Sequence, residues 1–151
     1  MSTTATPIVV GVDGTPASDR ALRWAMDEAV VRRCPLHVVN AWNYEPMVDW
    51  REHAVQQAEA ESEALIGEAV RAASAGRAEL PEIVQRSLRG YAAEVLEKAS
   101  EDAALLVVAS HTGHRMRQIV LGSTSMHVVR HAHSPVVVIP VTDRESAEVA
   151  R

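Results

Sequence analysis

The chain reads as an α/β protein: a doubly wound, five-stranded parallel sheet in the order 3-2-1-4-5, with helices on both faces. Three observations predict this. Strand-like and helix-like segments alternate from end to end, the pattern of repeated βα units. Several strand segments, among them PIVVGVD, LHVVNAW and PVVVIPV, are near-continuous aliphatic runs, as in parallel strands covered on both faces. The 151 residues include three Trp, two Tyr and no Phe, so the core has to be built from Val, Leu, Ile and Ala. A chain of this length buries a real core as one domain, residues 1–151.

Each element has a local reason. Pro7 to Asp13 is an apolar run broken by Gly14-Thr15-Pro16. A helix follows, with Thr15 or Ser18 as its cap and Pro16 tolerated in the first turn. Leu22, Ala25, Met26, Ala29 and Val30 fall on one face of it. Arg32 and Arg33 suit its C-terminal end, and Pro35 stops it. Leu36 to Trp42 is the second strand, and Asn43 to Asp49, with Pro46 inside it, is a loop. Trp50 to about Ala75 has a helical pattern in which Leu65, Ile66, Ala69, Val70 and Ala73 share a face. Its first half, HAVQQAEAESEA, is polar enough to be solvated, and Gly76 is its stop signal.

Glu82 to Leu88 is a more polar third strand, as at a sheet edge. Gly90 opens a helix whose buried stripe is Ala92, Val95, Leu96 and Ala99. Ala104 to Ala109 is the fourth strand, Ser123 to Ala132 a short helix, and Pro135 to Val141 the fifth strand. Thr142 to Arg151 is a polar tail expected to fray.

Bulk properties exclude several function classes. A formal net charge of −5 argues against a nucleic-acid binder, which needs a basic face. The single cysteine, Cys34, cannot form an intrachain disulfide and suits a reducing compartment. No apolar run approaches the roughly 20 residues that span a bilayer. The segment MSTTATP has neither the basic nor the apolar region of a signal peptide, so a cytoplasmic location is the expectation.

The most informative stretch is VVASHTGHRMRQIVLGSTS, residues 107–125. A strand ends at Ala109, a small-residue and basic loop follows, and Gly122-Ser123-Thr124-Ser125 opens a helix. Strand, loop and helix N-terminus in that order make an anion site, because free N–H groups and the positive end of the helix dipole converge. In a 3-2-1-4-5 sheet the order reverses between the first and fourth strands, so ligands bind where Asp13 and Ala109 end them.

With these segments in place the chain resembles the universal stress proteins. The carriers are IVVGVDGTPAS, LHVVNAW, LRGYAAEVLEKA and above all LGSTSMHVVRHAHSPVVVIP. The resemblance implies a Rossmann-like fold and, for part of that family, binding of ATP or AMP, with or without Mg²⁺. In such binders the fourth strand and its loop resemble G-x2-G-x9-G-[ST]. Alignment on Gly122-Ser123 puts Ala109 and Thr112 where the first two glycines stand, with Gly113 one position late. The methyl of Ala109 is mild if its φ is negative, whereas a β-branched Thr112 at positive φ would be an outlier. The alternative is a β or bridge conformation at Thr112, with Gly113 taking the left-handed step and the Thr112 hydroxyl donating to phosphate.

Carried over by alignment, Asp13 matches the strand-end aspartate that contacts the nucleoside, with Gly11 and Val12 before it. Ala41 matches the second-strand position beside adenine. Ala109, Ser110, Thr112, Gly113, His114 and Arg115 supply the loop, and Gly122, Ser123 and Thr124 the phosphate cradle. The small, polar composition of residues 110–117 makes them the segment expected to order on binding. Each feature also has a plainer reading. Asp13 serves equally as a turn residue, and Gly122-Ser123 as a helix cap. His127, His131 and His133 have spacing that suits zinc but no carboxylate or thiolate at a recognisable distance, so no metal site is expected.

No nucleophile elbow, Walker A sequence or positioned general base is present, so an enzyme is the weaker expectation. Three readings stand: an adenine-nucleotide-binding regulator, a nucleotide-free protein acting through partner contacts, and a weak phosphoryl-transfer enzyme. The apolar fifth strand at a sheet edge needs a cover. In the family that strand commonly pairs with its copy, so the resemblance implies a homodimer through residues 136–141. A protein partner is not identified by the sequence.

Overall fold

The computed structural model describes residues 5–44, 53–110 and 121–141. In chain order the elements are β1 (Ile8–Gly11), α1 (Pro16–Arg32), β2 (Leu36–Trp42), α2 (Ala54–Ser74), β3 (Ile83–Arg89), α3 (Ala92–Ala99), a single 3₁₀ turn (Ser100–Asp102), β4 (Leu105–Ala109), α4 (Ser123–His131) and β5 (Val136–Ile139). The five strands are all parallel, in the predicted order β3-β2-β1-β4-β5. Ile8 of β1 is in register with Leu36 of β2 and Leu105 of β4.

Both sheet faces are apolar because each carries its own core. Ile8, Val10, Leu36, Val38, Leu105 and Val107 pack against Leu22 and Met26 of α1 and Ile66 and Ala69 of α2. Val9, Val39, Leu106 and Val108 point the other way, onto Leu96 of α3 and Val128 of α4. Each fully buried aliphatic side chain contributes about 1.5–3 kcal/mol, so two faces of Val, Leu and Ile offset the lack of large aromatics.

Helix ends follow the local chemistry. Thr15 caps α1 from an extended conformation, its Oγ1 accepting from Ser18 N at 3.2 Å, and Pro16 occupies the first turn. At the other end Arg33 takes a left-handed conformation (φ 56°) and its N–H bonds back into the last turn. Gly76, at φ +74°, follows the end of α2. Next to it Arg77 donates through Nε to Ala73 O at 2.7 Å and through Nη1 to Asp27 Oδ1 of α1 at 2.5 Å, strapping the two helices together.

Differences from the expected elements have physical causes. Val30, placed on the buried face of α1 by spacing, is only half-buried, beside a stripe whose buried members are Leu22, Ala25, Met26 and Ala29. In the polar half of α2, Ala54 and Ser62 are buried, and Ser62 is so because it bonds a polar residue of the sheet. Ala92, expected in a buried stripe, is exposed at the first position of α3, where it faces an open cavity at the strand ends. The strands are trimmed to the residues that pair, so β5 ends at Ile139 and β1 at Gly11. The expected start of α2 at Trp50, the Pro46 loop and the polar tail lie outside the described residues.

Candidate functional site

A cavity of about 270 Å³ opens at the carboxyl ends of β1, β2 and β4. This is where the strand order reverses, between β1 and β4. Gly11 to Asp13 and Val39 to Ala41 form one side, Val108 and Ala109 the other. Ala92 and Leu96 of α3 and Gly122 to Ser125 of α4 complete the wall.

The α4 side is a helix N-terminus without a side-chain cap. Gly122 is the N-cap (φ −67°, ψ 174°), and having no side chain it makes no cap hydrogen bond. Met126 N donates to Gly122 O at 2.9 Å, the first bond of the helix, so the N–H groups of the first turn stay without helical partners beside the cavity. Ser125 Oγ donates to Ala109 O at 2.9 Å and ties this helix start to the end of β4. Ser123 and Thr124 bring hydroxyls to the same wall.

The β1 side is an ordered turn. Asp13 Oδ1 accepts from Thr15 N at 3.0 Å and from Thr15 Oγ1 at 2.6 Å, so the plainer reading of Asp13 as a turn residue describes a real contact. Its exposed position at the cavity mouth is compatible with a second role. Asp19, one turn into α1, has its carboxyl pushed above the usual range by burial; Arg23 opposes this and the charge of Asp13 adds to it. Gly11 has a packing reason, since a Cβ there would lie 3.0 and 3.2 Å from the two δ-carbons of Leu96.

Of the residues selected from sequence, the fold brings Gly11, Val12, Asp13, Ala41, Ala109, Gly122, Ser123 and Thr124 to this one cavity. Ser110 does not line it. Its N–H donates to Ile139 O and its Oγ accepts from Val141 N at 3.1 Å, so it extends the pairing of β4 with β5. Thr112, Gly113, His114 and Arg115 lie outside the described residues. Ala109 has an ordinary strand backbone, and Arg33 is the one non-glycine residue at positive φ among those described, so the methyl of Ala109 carries no backbone strain.

Sequence reasoning missed Ser18, Val39, Asn40, Ala92, Leu96 and Val108 as lining residues, while Ser125, which it placed at the helix start, does line the cavity. Asn40 left a signal: it is a polar residue inside an apolar strand that is buried on both faces. For the histidines, the structure supplies a carboxylate that spacing could not reveal. His127 Nε2 lies 2.7 Å from Glu97 Oε2 of α3, and its ring sits 4.6 Å from that of His131. No group of three or more His, Cys, Asp or Glu placed to hold a metal ion occurs among the described residues.

The model of the universal stress protein family matches residues 4–140. A universal stress protein of Mycobacterium tuberculosis is 33% identical over 139 residues, which is 87% of this chain and 46% of that protein. The chain therefore spans about half the length of such relatives. Among solved structures, a universal stress protein in complex with cAMP superposes with a TM-score of 0.65 at 24% identity, covering 91% of this chain and 98% of that one. One from Archaeoglobus fulgidus in complex with dAMP gives 0.59 at 23% identity, covering 91% and 99%. No described helix is long and apolar enough to cross a membrane.

Proposed function

The chain belongs to the universal stress protein family, and from that premise we propose that it binds an adenine nucleotide, ATP or AMP, in the cavity at the ends of β1, β2 and β4. Its role is that of a regulatory binding protein in a stress response. The observation that carries the reading is the meeting of an uncapped α4 N-terminus with Asp13 and the Ala41 backbone around one cavity. An anionic group takes the α4 end, where N–H groups and the helix dipole favour it. Asp13 accepts from the sugar hydroxyls, and the base lies against the β2 backbone at Ala41. The cAMP and dAMP complexes of two structural neighbours support an adenine nucleotide as the ligand class.

A second reading is a nucleotide-free protein acting through partner contacts. It is favoured by the replacement of two glycines of the nucleotide-binding pattern, chiefly by the β-branched Thr112, since Ala109 sits on an ordinary strand backbone. In either reading we propose a homodimer in which the β5 edges pair.

Mass spectrometry of small molecules released from freshly purified protein separates the two. Recovery of an adenine nucleotide supports the first. Calorimetry with ATP, ADP and AMP, with and without Mg²⁺, completes the test: no heat and no thermal shift at millimolar ligand removes it in favour of the second.

A further inference from the structure

Between β1 and α1 the chain passes through one peptide unit, Val12–Asp13, that is held from both sides by buried side chains. The Val12 carbonyl accepts from Asn40 Nδ2 at 2.7 Å. The Asp13 N–H donates to Ser18 Oγ at 3.2 Å. Ser18 is itself fixed, its Oγ donating to Thr15 O at 3.1 Å. Asn40 and Ser18 are 8% and 3% exposed. Asn40 is braced from behind as well: Ser62 Oγ of α2 donates to its Oδ1 at 2.7 Å, and Ser87 Oγ of β3 donates to Ser62 Oγ at 2.8 Å.

The sense of this relay is forced. A carbonyl only accepts, so Asn40 has to turn its amide nitrogen to Val12 and its oxygen to Ser62. A buried polar chain with its members satisfied favours one arrangement, because any displacement strands a donor or acceptor away from water. The relay caps no helix and closes no hairpin. It ends on the carbonyl of Val12, a lining residue, one peptide from Asp13. A planar peptide unit fixed at its C=O and its N–H leaves Asp13 only its own dihedrals to vary.

We infer that Asn40 is a positioning residue for Asp13. Together with Ser18, and braced by Ser62, it clamps the Val12–Asp13 peptide and sets the direction in which the Asp13 carboxylate leaves β1. The inference takes its ligand from the nucleotide reading, but its geometry stands without a ligand.

Two variants test it. Asn40→Asp keeps the shape and the acceptor for Ser62 but removes the donor to Val12. Ser62→Ala leaves Asn40 in place without its brace and disturbs the core less. Hydrogen exchange in the unliganded protein is the first readout. In N40D the Asp13 amide loses at least about tenfold protection relative to the amide of Val38, with a smaller loss in S62A. Affinity for AMP is the second: N40D weakens it about tenfold, and adding N40D to Asp13→Ala weakens it no further. Unchanged protection of Asp13 in both variants overturns the inference, as does an N40D effect that multiplies with that of D13A. If N40D does not fold, S62A carries both measurements. If the parent protein binds no nucleotide, the functional reading fails, and exchange at Asp13 still decides whether Asn40 positions it.

Discussion

One hydroxyl at Thr15 serves two ends of the same turn. It donates to Asp13 Oδ1 at 2.6 Å and accepts from Ser18 N at 3.2 Å, so helix capping and the orientation of Asp13 share an atom. Thr15→Ala is therefore expected to lower stability by about 1 kcal/mol, the usual cost of losing a cap, while Thr15→Ser retains most of it; urea denaturation measures both. At Ala109 the expectation is the opposite of what a missing glycine suggests. Its backbone is that of a strand, so Ala109→Gly relieves no strain. Nucleotide affinity should stay within about threefold, and stability should fall by about 0.5–1 kcal/mol from the added chain freedom. Calorimetry and a thermal melt check the two halves. Residues such as Asp13 and Gly122 were legible in the sequence because they sit at breaks in the pattern, where only a few roles are open. Asn40 showed only its polarity within an apolar strand, and Leu96 only its place in a helix stripe; the role of each depends on a neighbour from another element. For Asn40 that neighbour is Ser62, which lies 22 positions away in the chain.

At the scale of elements, the pairing of α3 with α4 holds one wall of the cavity. Glu97 accepts from His127 across that interface, and its carboxyl lies below the ordinary value of 4.5, first because of this hydrogen bond; desolvation opposes it, and the charges of His127, His131 and His133 lower it further. The sign follows directly. A carboxyl with a depressed folded-state pKa adds stability that is fully present above the unfolded value, near 4.5, and is lost as pH falls through the folded value. Glu97→Gln should thus destabilise the protein just above pH 4.5 and converge with the parent at lower pH, as followed by urea midpoints across that range. The α1–α2 strap makes a second prediction. Arg77→Ala removes a bond to a helix-end carbonyl and one to Asp27, so a loss of about 1–2 kcal/mol is expected, and Arg77→Lys should not restore the forked contact. The elements themselves were readable from aliphatic runs and helical spacing, and β2 falls at its expected bounds, Leu36–Trp42. Boundaries moved where pairing partners, absent from any local pattern, decide which residues join the ladder, as at β5.

For the whole molecule, strand order was legible because right-handed crossovers and helices on both faces leave few arrangements of five parallel strands. The same topology puts β5 at an edge, with Val136, Val137 and Val138 each only half-buried. If that edge pairs with its copy, Val138→Lys yields a folded monomer on sizing with light scattering, whereas a dimer of unchanged mass places the interface elsewhere. The cavity follows from the topology too, since α1, which follows β1, packs on one face of the sheet and α4, which follows β4, on the other, leaving a crevice at the carboxyl ends of the two strands. What topology does not specify is occupancy. The account is tested most directly by titrating AMP into the ¹⁵N-labelled protein and following its amide resonances. It predicts saturable shifts that cluster at Val12, Asp13, Ala41 and Gly122 to Thr124, with the far ends of the strands, at Leu36 and Leu105, unmoved. Shifts that cluster elsewhere, or none at millimolar AMP, would contradict it.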